Sequence, residues 1–210
     1  MQAAGPTTHL SVPAQKTLLK LVLDPDQRFD DRAYFIFCQA NPDLRVERNA
    51  EGEILIVPPA DSESSHRSAS VTAQLFNCAE QDGRGTAFES SAQFMLPDGS
   101  ALSPDAAWVS HKSLRGFSKQ ECRGFLHLCP ELVIEVMSPT DRLKDAKAKM
   151  EHWIANGAQL ARLIDAGAET VYVYRPHHAP KTRRGVAQVA GEGPIEGFVL
   201  KLGAIWRGLG

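Results

Sequence analysis

Glu131-Leu-Val-Ile-Glu135-Val-Met137 is close to continuously apolar, and the reading of that run decides the fold. A strand with one wet face alternates apolar and polar residues. This one does not, so it reads as a central strand covered on both faces. Glu135 sits near its end, where a carboxylate is costly unless it is paired or bound to a metal. A lysine partner just past the buried part would explain it equally well from the strand alone.

Working outward, Ser103-Pro104-Asp105 opens the preceding strand. Proline is tolerated there because a first strand residue need not donate to the ladder. Asp105 then leads into the apolar stretch Ala106-Ala107-Trp108-Val109. Taken singly, Ser-Pro-Asp is a turn. If the two strands are neighbours, however, Asp105 and Glu135 come together. Two hard carboxylates with no His or Cys beside them suit Mg²⁺ or Mn²⁺ better than zinc.

Ser138-Pro139-Thr140-Asp141 follows at once and reads as a helix start, with Ser138 as N-cap, Pro139 in the first turn and Asp141 completing the cap. The helix is expected over 140–156, closed by Gly157, and its N-terminus would favour a phosphate beside the carboxylates. Leu143, Ala146, Met150, Trp153 and Ile154 form its apolar stripe. Lys149 and Arg142 flank one side and Lys147 the other. Either lysine can lean over the sheet end, and periodicity does not choose between them.

The rest of the chain supplies the frame. Residues 1–15 read as a leader. A helix is expected over 31–39, a hairpin over 45–57 and a helix over 62–81. Strands follow over 86–96 and 101–110, joined by the turn Pro97-Asp98-Gly99-Ser100, then over 160–165, 170–175 and near 197–202. This is a mixed α/β pattern with one sheet as its spine, helices on its flanks and extra strands at both ends. The expected organisation is a single domain over 16–210.

Composition limits the function classes. With 43% hydrophobic residues, the 210-residue chain can bury a core, which argues against disorder. A formal net charge of −2 gives no global basicity, so any nucleic-acid surface must be local. Basic residues do cluster late in the chain, around Arg142, Lys144, Lys147 and Lys149, and again at Lys181, Arg183 and Arg184. Such clusters can track phosphates or simply form a solvated face. Cys38, Cys78, Cys122 and Cys129 form no CxxC pair and no zinc-ligand spacing. Scattered thiols without a signal segment point to a reducing cytoplasm, and no apolar run is long enough for a membrane.

Taken jointly, these residues resemble the Uma-two family of bacterial endonucleases. The resemblance is carried by Glu131-Leu-Val-Ile-Glu135-Val-Met-Ser-Pro139, by Asp145-xxx-Lys149-xxx-Trp153-xxx-Gly157 and by Ser103-Pro-Asp105. His66 after Pro58-Pro59, Leu163-Ile-Asp165, Val171-Tyr-Val-Tyr-Arg-Pro176 and Gly197-Phe198 extend it from about Arg45 to the C-terminus. It implies a restriction-endonuclease-like PD-(D/E)xK core, within about 58–176. Asp105 would be its first acid and Glu135 its second. The usual lysine position is Met137, so the standard motif is broken. The resemblance places the lysine on the following helix, at Lys149. Glu63 or His66 on the first core helix would complete the site. Two departures are Pro130-Glu131, where relatives carry Pro-Asp, and Arg162, where an aromatic is usual.

The implied activity is Mg²⁺- or Mn²⁺-dependent endonuclease cleavage of DNA. Asp105, Glu135 and the Val136 carbonyl would hold the ion, and Lys149 would orient the attacking water or stabilise the charge that builds on phosphorus. Arg142, Lys144, Lys147, Arg183 and Arg184 would contact the nucleic-acid backbone. A homodimer is expected by analogy, because cutting two strands takes two sites. The alternatives are a nuclease fold that binds nucleic acid or protein without cutting, a hydrolase of a small phosphate ester, and a purely structural Glu135–Lys149 ion pair.

Overall fold

The structure is a computed structural model that describes residues 19–21 and 29–210. The leader expected over 1–15 lies outside the described residues. A five-stranded antiparallel sheet contains β1 (Leu19–Leu21), β2 (Val46–Arg48), β3 (Ile54–Ile56), β5 (Phe94–Met95) and β6 (Ala101–Leu102), in the order β1-β3-β2-β6-β5. Helix α1 (Asp31–Ala40) packs beside it through the fully buried Tyr34.

The larger sheet has six strands. They are β4 (Gly85–Glu89), β7 (Ala106–Ser110), β8 (Leu132–Val136), β9 (Leu160–Asp165), β10 (Thr170–Arg175) and β11 (His178–Arg184), in the order β11-β10-β9-β8-β7-β4. Only β8 and β9 run parallel; the other neighbours are antiparallel. β8 is interior to the sheet, and Leu132, Val133 and Ile134 are each 0% exposed, as its unbroken apolar run requires.

The pleat divides β8 between two layers. Leu132, Ile134 and Val136 pack with Val71, Leu75 and Ala79 of α2 (Ser62–Asp82) and Ile205 of α5 (Gly203–Arg207). Val133 packs on the other face with Met150 and Trp153 of α4 (Leu143–Ala155). Helix α2 begins where Asp61 accepts the N–H groups of Glu63 and Ser64 and ends at Gly83, whose φ of 66° suits glycine. A short hairpin of β12 (Gln188–Ala190) and β13 (Val199–Lys201) extends the α2 layer. Helix α3 (His111–Leu114) follows β7 directly.

Two expectations are corrected, and one strand was not expected. The runs over 86–96 and 101–110 are not continuous strands; each is cut in two and shared between the sheets. After β4 the Glu89 side chain takes the Ser91 N–H and turns the chain. Before β7 the break falls at Ser103-Pro104-Asp105, where proline cannot donate to a ladder. Helix α4 starts at Leu143 rather than at 140, and its N-cap residue, Arg142, makes no side-chain cap. Ser138 and Asp141 bond to each other instead, with the Ser138 N–H donating to Asp141 Oδ2 at 2.8 Å and the Asp141 N–H to Ser138 O at 3.1 Å. That closed turn competes with the helix for the same groups. Strand β11 has no counterpart among the expected strands; it is an edge strand exposed along its whole length and carries no apolar alternation for a sequence reading to detect.

Candidate active site

Ala106 of β7 pairs with Ile134 of β8, so Asp105 stands beside the end of β8. Its Oδ2 accepts the Val136 N–H at 2.7 Å. In the parallel ladder Met137 N donates to Ile164 O, so the backbone groups of Val136 face the other way, toward Asp105. By the same alternation Glu135 projects into the α4 layer, with its side chain 13% exposed. There Glu135 Oε1 accepts the Trp153 Nε1–H at 3.1 Å and meets the Lys149 ammonium at 2.9 Å.

Lys149 also reaches Glu47 Oε1 at 3.5 Å. Glu47 comes from β2 of the other sheet, is 8% exposed and accepts the Ser103 N–H at 3.1 Å. The crossing of the chain between sheets at Ser103 therefore brings a third carboxylate to the site. Burial pushes the Glu135 carboxyl up to about 7, Lys149 opposes this, and Asp105 and Glu47 add to it. For Lys149, burial pulls downward, but Glu135 and Glu47 outweigh it and hold the ammonium proton well above the usual lysine range. The resulting state has a fixed cation among three carboxylates, one of which is readily protonated.

A cavity of about 700 Å³ opens over this group. Asp105, Glu135, Val136, Lys149 and Glu47 line it, with Asp141, Arg142, Asp145 and His152 from the α4 side and Asp61, Ser64 and Ser68 from α2. Asp105 Oδ1 and Glu135 Oε2 have no hydrogen-bond partner among the described residues. Those oxygens and the Val136 carbonyl are hard donors, the type of atom that could hold Mg²⁺ or Mn²⁺. Among the described residues no three His, Cys, Asp or Glu side chains gather into a ready-made metal cage.

The structure brings together Asp105, Glu135, Val136 and Lys149, and it separates others. Lys147 lies over the Tyr172 ring, 4.4 Å from its centroid, on the opposite flank of α4 from Lys149. Glu63 pairs with Arg67 at 2.8 Å, and Arg67 Nε donates to Ile205 O, so this side of α2 faces α5. His66 is exposed and does not line the cavity, whereas Ser64 and Ser68 do. Glu63 and His66 were expected to complete the site, but neither lines the cavity, and the third carboxylate near Lys149 is Glu47. Arg142 lines the cavity rim and Lys144 is exposed on α4. Arg183 and Arg184 are exposed on β11. The pairings Val136 with Ile164, Asp165 with Thr170 and Thr170 with Arg184 place them at the same sheet end as the carboxylates. They lie three strand spacings from β8, roughly 14 Å.

Sequence reasoning missed Glu47, which sits in a short hairpin with nothing local to set it apart. It also read Trp153 only as core, although its indole N–H orients Glu135.

Comparison with known proteins shows the family and the fold. The family model described as "Putative restriction endonuclease" matches residues 31–203. The chain belongs to the Uma2 family. Among solved structures it is similar to one described as a "putative nuclease belonging to DUF820" from Anabaena variabilis. The TM-score is 0.65 at 18% sequence identity, covering 77% of this chain and 89% of that one, which shows a shared fold. No curated protein matches by sequence. The Uma2 match contains Glu47, Asp105, Glu135 and Lys149, and no helix among the described residues is long and apolar enough to cross a membrane.

Proposed function

We propose that this Uma2 chain is a divalent-metal-dependent endonuclease that hydrolyses phosphodiester bonds of DNA. The observation that carries the proposal is the Lys149 ammonium held 2.9 Å from Glu135, at the end of β8 where Asp105 also stands. Two part-buried acids at the ends of neighbouring strands, with a lysine paired to one of them, are a group set that suits metal-assisted phosphoryl chemistry, assembled here from the start of β7, from β8 and from α4.

Asp105, Glu135 and the Val136 carbonyl would hold the ion, whose chemistry when bound is Lewis-acid polarisation of the scissile phosphodiester. The Val136 N–H keeps the Asp105 carboxylate in place. The Trp153 N–H does the same for Glu135 and lies on the same oxygen as Lys149, which leaves Oε2 for a ligand. Lys149 keeps its proton because Glu135 and Glu47 surround it. It therefore stabilises negative charge that builds on the phosphoryl oxygens and does not act as a base. Arg142, Lys144 and Arg184, at the same end of the sheet, would follow the DNA backbone, with Arg183 beside them on β11. One such site cuts one strand, so cutting a duplex fits a homodimer.

The test is nicking of supercoiled plasmid with Mg²⁺ or Mn²⁺. Wild type should cut, and Asp105→Ala and Glu135→Ala should not, while both variants stay folded. Cleavage that persists in both variants would remove the assignment. A wild-type protein that binds DNA without cutting it would favour a binding module instead.

A further inference from the structure

The groups assigned so far leave the reaction without a base. Asp105 and Glu135 are assigned to the ion, Lys149 holds its proton, and Glu47 is engaged by Lys149 and the Ser103 N–H. Asp61 caps α2. Among the residues lining the cavity His152 is the single histidine. It lies three residues beyond Lys149 on α4, a spacing that places two side chains on one helix face. Imidazole is also the side chain most often found as a general base.

The polar contacts of His152 all fall on one ring nitrogen. Its Nε2 is 3.2 Å from Asp98 Oδ2 and 3.0 Å from Ser100 Oγ. The Ser100 hydroxyl donates to Asp98 Oδ1 at 2.7 Å, so its oxygen is left to accept from the imidazole. The Asp98 carboxyl is held below its usual range: burial raises it, but hydrogen bonds from Ser100 and Asn156 outweigh that. It too can only accept. Both contacts therefore call for an Nε2–H donor, and in neutral imidazole that leaves the lone pair on Nδ1. No hydrogen bond occupies Nδ1 among the described residues. A role confined to pinning the 97–100 turn is already filled by Asn156, which accepts the Asp98 N–H at 3.2 Å and donates to Asp98 Oδ2 at 3.0 Å.

We propose that His152 is the general base of the hydrolysis, oriented by Asp98 and Ser100; this rests on the nuclease reading above. Nδ1 takes the proton that the attacking water releases as its oxygen bonds phosphorus. The P–O ester bond breaks with its electron pair on the departing oxygen, which takes a proton from solvent. The imidazolium then returns its proton to solvent. One water and one diester become one phosphate monoester end and one alcohol end, and the enzyme is unchanged.

The experiment compares plasmid nicking at saturating Mg²⁺ for wild type, His152→Gln, His152→Ala, Asp98→Asn and Glu135→Ala. Urea unfolding, Mn²⁺ calorimetry and the ¹⁵N tautomer of His152 are measured alongside. His152→Gln keeps an N–H for Asp98 but has no base. It should lose roughly 10²- to 10⁴-fold in rate with wild-type Mn²⁺ binding and stability. Added imidazole should restore His152→Ala but not Glu135→Ala. The tautomer should be Nε2–H in wild type and redistribute in Asp98→Asn. If Glu135→Ala abolishes cleavage while His152→Gln cuts at the wild-type rate, or if His152 carries its proton on Nδ1, the base assignment falls and the nuclease reading stands. If wild type does not cut, or Glu135→Ala cuts as wild type does, the nuclease reading fails and the inference fails with it.

Discussion

Glu135→Gln should make the metal-free protein more stable at alkaline pH and leave its stability unchanged in acid. The Glu135 carboxyl is displaced from 4.5 to about 7, chiefly by burial, even with Lys149 beside it. The sign follows from proton counting. Between those two values the folded protein holds a proton that the unfolded chain has released, so stability falls as pH rises through the window. Below it both states are protonated and the penalty vanishes; above it the full penalty of an ionised buried carboxylate remains. The displacement is worth about 3 kcal/mol. Glutamine keeps an acceptor for the Trp153 N–H and carries no charge, so it should recover up to that amount at about pH 8 and nothing near pH 4. For a chain of this size that corresponds to a rise in Tm of about 6–12 °C. The assay is thermal or urea unfolding of both proteins in chelator across that range. Saturating Mn²⁺ should then narrow the gap by stabilising wild type alone. A Gln variant that is less stable than wild type at alkaline pH, by an amount that does not change with pH, would refute the reasoning and favour a structural ion pair.

Lys149→Met should cost progressively more as pH rises above neutral, toward about 3–5 kcal/mol where Glu135 would have to stay ionised without its cation. That loss should shrink in acid as Glu135 protonates, and the residual cleavage rate should fall roughly 10²- to 10³-fold; denaturant midpoints and nicking kinetics check both. Arg162 is 0% exposed, with Nε and Nη1 lacking partners, and burial lowers it to about 10. Arg162→Met should therefore be neutral or stabilise the protein by up to about 4 kcal/mol, read from the urea midpoint. Arg184→Ala should weaken DNA binding uniformly across sequences and reduce the slope of log affinity against log salt by about 1 if the residue meets a phosphate, measured by fluorescence anisotropy.

The parts of the fold that were legible are those where one physical demand dominates. The unbroken apolar run of β8 announced its own burial, the stripe of α4 announced its packing face, and the helix expected over 62–81 matches α2 closely. The hairpin of β2 and β3 and the pair β9 and β10 were equally plain. What was hidden depended on tertiary choice. The strands over 86–96 and 101–110 look continuous because residues on both sides of each break are apolar; which sheet takes each half is decided by packing that the local pattern does not contain. Ser138 and Asp141 have the residue types of a helix cap and also those of a closed turn, and the turn wins. In the site, Asp105 and Glu135 could be paired because a register between neighbouring strands is simple to foresee. Lys149 and Lys147 could not be separated by periodicity, since each flanks the same apolar stripe; the Tyr172 ring claims one and the carboxylates the other. Glu47 arrives from a different sheet at a separation of 88 residues from Glu135 in the numbering, and no local signal points to it.

The central claim is that Asp105 and Glu135 hold one divalent ion. Calorimetric titration of Mn²⁺ into wild type, Asp105→Ala and Glu135→Ala tests it most directly. The account predicts a saturable site in wild type that is lost in both variants while their unfolding remains cooperative. Mn²⁺ binding of unchanged affinity in either variant would contradict it.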